Sequence, residues 1–170
     1  LQEGVASEAA SLAGTMGLSK LIVIYDCNKI TIEGSTDVAF TEDVMKRFEA
    51  YGWDVAEVTD GNDVDAIAAA IAAAKKTDKP SLIKVNTLIG FGAPNKQGKA
   101  SAHGEPLGEE EIKLTKENLG WNYEESFFVP EEVKAHMAAW EAEGAQKEAA
   151  WNEMFAAYAK ANPELAKEYE

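Results

Sequence analysis

The run Lys20-Leu21-Ile22-Val23-Ile24-Tyr25 constrains this chain more than any other segment. It is rich in β-branched residues and shows no apolar–polar alternation. That pattern marks a strand covered on both faces of a parallel sheet. Parallel strands need crossover connections, so helices should separate this strand from its neighbours. The pattern that follows meets that demand. Trp53 to Val58 predicts a second strand, and Ser81 to Leu88, preceded by Pro80, predicts a third. Between them lie two helical patterns. One runs from Glu42 to about Tyr51, capped by Thr41 and carrying Val44, Phe48 and Tyr51 on one side. The other is capped by Asn62 or Asp63 and runs through Ile67 and Ile71 to Lys76. Ahead of the first strand, Glu3 to Met16 reads as a helix with Val5, Ala9, Leu12, Ala13 and Met16 at helical spacing. Its alanines and Gly14 predict close packing against another backbone. Gly17 predicts its end, with Gly14 a weaker break. The fold class is therefore α/β, a partial doubly wound parallel sheet.

Beyond Ile89 the character changes. Leu88 to Gly108 is a glycine-rich loop carrying Lys96, Lys99 and His103. From Gly108 the chain is helical and charged, over Glu109 to about Leu119, Glu131 to Gly144 and Gln146 to Lys160. No strand signal follows Pro130. Residues 1–125 thus form the α/β part and residues 126–170 a helical C-terminal appendage.

Charge narrows the partners. Acidic residues outnumber basic ones, 30 to 16, for a formal charge of -14. Such a surface repels nucleic acid phosphates and anionic headgroups, so neither nucleic acid nor membrane is an expected partner. The longest apolar run, Ala66 to Ala74, falls well short of the roughly 20 residues that span a bilayer. Cys27 is the single cysteine, which excludes an internal disulfide and makes a reducing, cytoplasmic setting the default. The start, Leu1-Gln2-Glu3-Gly4, has no basic region or signal-peptide core and opens directly in a helical pattern, as in a piece of a longer parent.

In open parallel sheets, ligands bind beyond the carboxyl ends of the strands. Two segments fall there. Asp26-Cys27-Asn28 ends the first strand, where Asn28 offers an amide oxygen and Ile30 a backbone carbonyl. Both are hard oxygen donors suited to magnesium or calcium, although an asparagine at a strand end is more often a turn former. The second segment is the Leu88–Gly108 loop, where glycines allow close backbone approach. His103 there is either an exposed loop residue or a functional group. Lys96 and Lys99 read as solvated, and His136, beside Met137 and Trp140, as structural.

Several collinear blocks resemble the diphosphate-binding domain of transketolases. The first is Glu3-Gly4-Val5-Ala6-Ser7-Glu8-Ala9-Ala10-Ser11-Leu12-Ala13-Gly14, continuing to Tyr25-Asp26-Cys27-Asn28-Lys29-Ile30-Thr31-Ile32-Glu33-Gly34. The second is Arg47-Phe48-Glu49-Ala50-Tyr51-Gly52-Trp53, with Asp60-Gly61 and Lys79-Pro80-Ser81-Leu82 downstream. The third joins Thr87-Leu88-Ile89-Gly90-Phe91-Gly92 and Pro94-Asn95-Lys96 to His103-Gly104-Glu105-Pro106-Leu107-Gly108. The resemblance implies thiamine diphosphate as cofactor with Mg2+ or Ca2+. It implies transfer of a two-carbon ketol unit between sugar phosphates, in the pentose phosphate pathway, by a homodimer. It assigns Asn28 and the Ile30 carbonyl to the metal, with Asn28 and Ile30 also at the cofactor. Glu3 is placed near the cofactor, and His103 against its diphosphate and the reacting substrate, as the catalytic residue. A sibling such as dihydroxyacetone synthase shares these blocks.

One departure qualifies the match. The family's Gly-Asp-Gly motif, with its aspartate ligand, is expected immediately upstream of Leu1, and the glutamate that activates the cofactor belongs to a separate pyrimidine domain. The chain by itself is therefore expected to be inactive and to need the remainder of the transketolase chain. It is also expected to expose Leu21 to Ile24 as an unpaired sheet edge. A natural short protein that binds a diphosphate or a partner without catalysis is the alternative.

Overall fold

The computed structural model describes residues 1–170, which fall into two compact units, Leu1–Asn122 and Tyr123–Glu170. The first unit is built on a three-stranded, all-parallel sheet of β1 (Ile22–Cys27), β2 (Asp54–Val58) and β3 (Ser81–Asn86), in the order β1-β3-β2. The last strand in sequence is thus the middle one in space. Leu82 and Ile83 have no exposed surface, and Ser81 and Val85 are buried beside them.

Side chains alternate across the sheet and feed two separate cores. On one face Val23, Tyr25, Val55 and Leu82 meet α1 (Gly4–Met16) and α2 (Val44–Ala50) through Ala10, Ala13, Val44 and Phe48, with Trp53 from the turn before β2 completing the cluster. On the other, Ile22, Ala56, Val58, Ile83 and Val85 meet α3 (Val64–Ala74) through Ile67, Ile71 and Ala74. In the first core the Phe48 and Trp53 rings pack edge to face, with centroids 5.0 Å apart. The Trp53 indole N–H donates to the Ala10 carbonyl at 2.8 Å, so the buried ring keeps a polar partner. Covered by helices on both sides, the sheet has the predicted α/β class.

Several elements differ from the sequence reading. β1 is not covered on both faces: it pairs only with β3, and Ile24 is 50% exposed. Its second face is covered only in part: Ile22 reaches the core under α3, and Ile24 is left open. The unpaired edge expected at Leu21 to Ile24 is therefore present. In α1 the buried face is Ala10 and Ala13, whereas Val5, Leu12 and Met16 point outward. Small residues win this face because the helix lies directly on backbone. Gly14 does not break α1. A Cβ there would sit 1.8 Å from the Tyr51 carbonyl oxygen, so glycine is the contact itself. The helix stops at Gly17, left-handed at φ 61°, as expected.

Asp43, not Thr41, caps α2, its carboxylate accepting from the Lys46 N–H at 3.1 Å. The helix accordingly starts two residues later, leaving Glu42 outside to meet Arg47. Asp63 is the cap of α3, accepting from the Ala66 N–H at 2.9 Å. β3 ends at Asn86, and α4 covers Glu109–Asn118. The second unit holds α5 (Glu131–Ala161) and α6 (Pro163–Tyr169). The break expected near Gly144 is absent, and α5 is one helix of 31 residues. A single helical glycine costs about 1 kcal/mol, which the surrounding alanines, glutamates and lysines offset. A Lys147–Glu143 ion pair of 2.6 Å bridges the spot. Phe155 of α5 packs on Tyr169 of α6 at 5.4 Å between centroids, while His136 lies exposed near Trp140. No helix is long and apolar enough to cross a membrane.

Two expected outcomes follow from this packing. Gly14→Ala should lower stability by roughly 3 kcal/mol or more in denaturant unfolding, because backbone must move to admit a methyl group. Gly144→Ala, where a Cβ would meet nothing within 4 Å, should be neutral or stabilising by up to about 1 kcal/mol. Equal effects of the two substitutions would refute this packing. Burial in the first core, with a hydrogen bond to Cys27, pushes the Tyr25 phenol from the ordinary 10 up to about 12. A folded value above the unfolded one means that the neutral phenol contributes fully below pH 10, a contribution lost as pH rises from 10 toward 12. Stability should therefore fall more steeply above pH 10 in wild type than in Tyr25→Phe.

Candidate functional site

The register pairs Cys27 with Asn86, so β1 and β3 end at the same height and release their following loops side by side. The Thr87 N–H donates to the Cys27 carbonyl at 3.2 Å, and the Thr87 hydroxyl bonds the Asp26 carboxylate. These two bonds weld the exits of the strands together.

Asn28 leaves β1 in a tight turn. Its side-chain oxygen accepts from the Ile30 N–H at 2.9 Å, and Lys29 between them takes a left-handed φ of 58°. The asparagine is thus the turn former that its position suggests. One lone pair of that oxygen stays free, as does the Ile30 carbonyl. Ile30 faces Ser35 in a single antiparallel bridge whose hydrogen bonds run through the neighbours, Thr36 N–H to Lys29 carbonyl and Thr31 N–H to Gly34 carbonyl. Two hard, neutral oxygens therefore stand at the sheet's carboxyl edge. They suit a magnesium- or calcium-type ion but supply only part of its six or more ligands. No group of three or more His, Cys, Asp or Glu side chains gathers to complete such a shell.

The loop after β3 folds on itself. Ala93, fully buried, anchors it, and the Gly98 N–H returns to the Ile89 carbonyl at 2.8 Å. A 3₁₀ turn over Ala100–Ala102 then presents His103, whose N–H donates to Ala100 at 2.8 Å and whose ring is exposed. Gly104 follows so closely on the first loop that a Cβ there would touch Ile32 Cδ1 at 3.5 Å. The structure thus brings His103 to the same edge as Asn28 and Ile30. Lys29, Lys96 and Lys99 lie on these two loops together with Glu33, Asp37 and Glu105, so the loops are about neutral in a chain of net charge -14.

Glu3 occupies the N-cap position of α1, exposed and without a side-chain cap bond. Trp53, at the amino end of β2, packs on Ala10 and Gly14, so the end of α1 lies at the amino edge of the sheet. The 13 residues of α1 span roughly 20 Å and the six of β1 about the same. The start of α1, with Glu3, therefore reaches the carboxyl edge. Arg47 holds it there, donating to the Leu1 carbonyl at 3.3 Å and the Ser7 hydroxyl at 2.9 Å. Arg47 Nε also lies 2.9 Å from Glu42, an ion pair without hydrogen-bond alignment.

Sequence reasoning missed three groups. Arg47 appears in it only as part of a block, since a basic residue on an amphipathic helix reads as solvated. Glu111 is only 7% exposed and grips Asn95 of the loop with both carboxylate oxygens. The third is a ladder on the sheet itself: Lys84 Nζ and Asn86 Nδ2 both donate to Glu57 Oε1, at 2.8 and 2.9 Å. Lys84 holds the Glu57 carboxyl below its usual range, and Glu57 raises the lysine in turn. This ladder borders a cleft of about 350 Å3 between the sheet and α2, floored by Tyr25, Cys27, Glu57 and Lys84. Strand periodicity places 84 and 86 on one face, and the register between β2 and β3 sets Glu57 beside Lys84.

Comparison with known proteins assigns the family. The family model described as transketolase, thiamine diphosphate binding domain, matches residues 1–170. The transketolase of Halalkalibacterium halodurans is 54% identical over 170 residues, covering 100% of this chain and 26% of the relative. Transketolase 1 of Aliivibrio fischeri is 56% identical over 171 residues, covering 99% and 25%. Among solved structures, the Pichia stipitis transketolase in complex with sedoheptulose-7-phosphate superposes with a TM-score of 0.90 at 51% identity, covering 98% of this chain and 25% of that one. The transketolase from Leishmania mexicana gives 0.91 at 41% identity, with the same coverage. The chain thus spans about a quarter of the length of these relatives. It belongs to the transketolase family, within the thiamine-diphosphate-binding domain.

Proposed function

We propose that this chain is the part of a transketolase that anchors the cofactor's diphosphate, in an enzyme moving two-carbon ketol units between sugar phosphates. The observation that carries the reading is the approach of Gly104 to Ile32. It brings the loop that carries His103 against the loop that follows the Asn28–Ile30 turn, which supports a shared role for these residues in holding a phosphate group and its counter-ion.

Each residue has a task in this reading. The Asn28 side chain and the Ile30 carbonyl hold a magnesium or calcium ion, which offsets the repulsion between a diphosphate and an acidic protein. His103, exposed on a loop tied down elsewhere, donates a hydrogen bond to the diphosphate or to the substrate oxygen near it. Glu3, at the positive end of α1, stands beside the cofactor. Thiamine diphosphate, when bound, supplies the thiazolium carbon that carries the two-carbon unit. The remaining metal ligands and the group that activates the cofactor come from the rest of a transketolase chain, in a cytoplasmic homodimer.

The test is calorimetric titration with thiamine diphosphate, with and without magnesium. It is run on the chain alone and on an intact transketolase carrying this chain in place of its own matching segment. The intact protein should bind in a magnesium-dependent way and turn over xylulose 5-phosphate with ribose 5-phosphate. Asn28→Ala should weaken that binding at least about tenfold. The isolated chain should bind weakly and show no turnover. An Asn28→Ala affinity that is unchanged across the magnesium series would remove the metal assignment. Turnover by the isolated chain would remove the anchoring role.

A further inference from the structure

We infer that Glu111 is a positioning residue: through Asn95 it holds the glycine-rich loop in the single arrangement that presents His103 at the sheet edge. The role assigned to His103 rests on the function proposed above. The clamp itself rests on geometry.

A carboxylate as buried as Glu111 persists only when hydrogen bonds replace its water. Its Oε1 accepts from the Asn95 backbone N–H at 2.7 Å, and its Oε2 from Asn95 Nδ2 at 2.8 Å. These short, charge-assisted bonds, the side-chain bond first, hold the carboxyl below its usual range. Glu111 belongs to the first turn of α4, where the helix dipole also favours the negative charge. Neither bond is to a cation, and the neighbouring Lys96, through its backbone N–H and its charge, adds to the same lowering. Both bonds are directed at one residue of the loop.

That residue is where the loop is gathered. Lys99 Nζ donates to the Asn95 carbonyl at 2.7 Å, tying in the arm that leads to the 3₁₀ turn and His103. Lys96 Nζ donates to the Pro106 carbonyl at 3.2 Å, tying in the arm that leaves His103. A second pin lies further along α4, where Asn118 Nδ2 donates to the Gly92 carbonyl at 2.9 Å. Residues 111 and 118 are two turns apart and share a helix face, so the loop is fastened at two points along one rigid element. His103 itself has only its N–H bond to Ala100. The location of its ring is therefore inherited from these pins.

The pair allows a test by exchange of roles. In Glu111→Gln, the amide oxygen takes the Asn95 N–H, and the Asn95 amide turns over so that its oxygen accepts from the new NH2 group, which leaves both bonds in weaker, neutral form. In Asn95→Asp, two carboxylates face each other. In the double variant N95D/E111Q, the glutamine NH2 donates to the aspartate, both bonds return and the net charge is unchanged. Hydrogen exchange of the amides from Asn95 to Gly104 should accelerate about tenfold or more in Asn95→Asp, by less in Glu111→Gln, and return to within about threefold of wild type in the double. In the intact transketolase carrying this chain, Asn95→Asp should lower kcat and thiamine diphosphate affinity about tenfold, and the double should recover both. Wild-type exchange rates in both single variants would overturn the clamp. Accelerated exchange with unchanged kcat and cofactor affinity would show Glu111 to be a fold residue only and overturn the positioning role. A wild-type intact protein that neither binds nor turns over would overturn the functional reading and the positioning role with it, while the exchange data would still report on the clamp.

Discussion

Burial of β3 between two parallel neighbours is the constraint on which the rest of the first unit depends. Leu82 and Ile83 are fully enclosed and point to opposite faces, so a single strand supplies the centre of both cores. Its backbone groups are paired on both sides, to β1 and to β2. Loss of its register by one residue would turn Leu82 toward α3 and Ile83 toward α1, and would separate Asn28 from the loop that carries His103. The position of the candidate site is therefore a consequence of the way a core strand packs.

Around the sheet, order is maintained by a few charged groups, Arg47 and Glu111 largely shielded from water and Glu57 open to it. Arg47 ties the start of α1 to α2, Glu111 ties α4 to the loop, and Glu57 joins β2 to β3 through Lys84 and Asn86. Each links segments far apart in sequence, where an apolar contact could slide. Hydrogen bonds with fixed geometry set position better than burial of apolar area, which is non-directional. The apolar core holds the layers together, and these polar contacts set where the loops end up.

The outer surface of the first unit is less finished than its interior. Ile24 on the sheet and Val5, Leu12 and Met16 on α1 are exposed, all from segments whose patterns read as buried. In a chain that covers about a quarter of its relatives, the local patterns keep the imprint of packing that these residues do not complete among themselves.

The sequence by itself determined the element types and their order, because apolar periodicity and turn residues act over a few positions. Alternating β-rich runs and amphipathic stretches specified an α/β chain, Gly17 and the Asn62–Asp63 pair marked helix limits, and the strand-end asparagine and glycine-rich loop fell on the edge where open parallel sheets hold ligands. The family blocks named Asn28, Ile30 and His103 together, although nothing in their spacing says that they meet. Only the tertiary structure decided that β3 is the middle strand, that α1 buries Ala10 and Ala13 rather than Leu12 and Met16, and that the backbone Gly14 packs against is the Tyr51 carbonyl. It alone decided that Gly104 lies on Ile32 and that a glutamate in a charged helical turn is buried against Asn95. These are facts about pairs of residues far apart along the chain. A sequence pattern reports what one segment prefers, whereas the partner that each segment meets follows from how all the segments share one core.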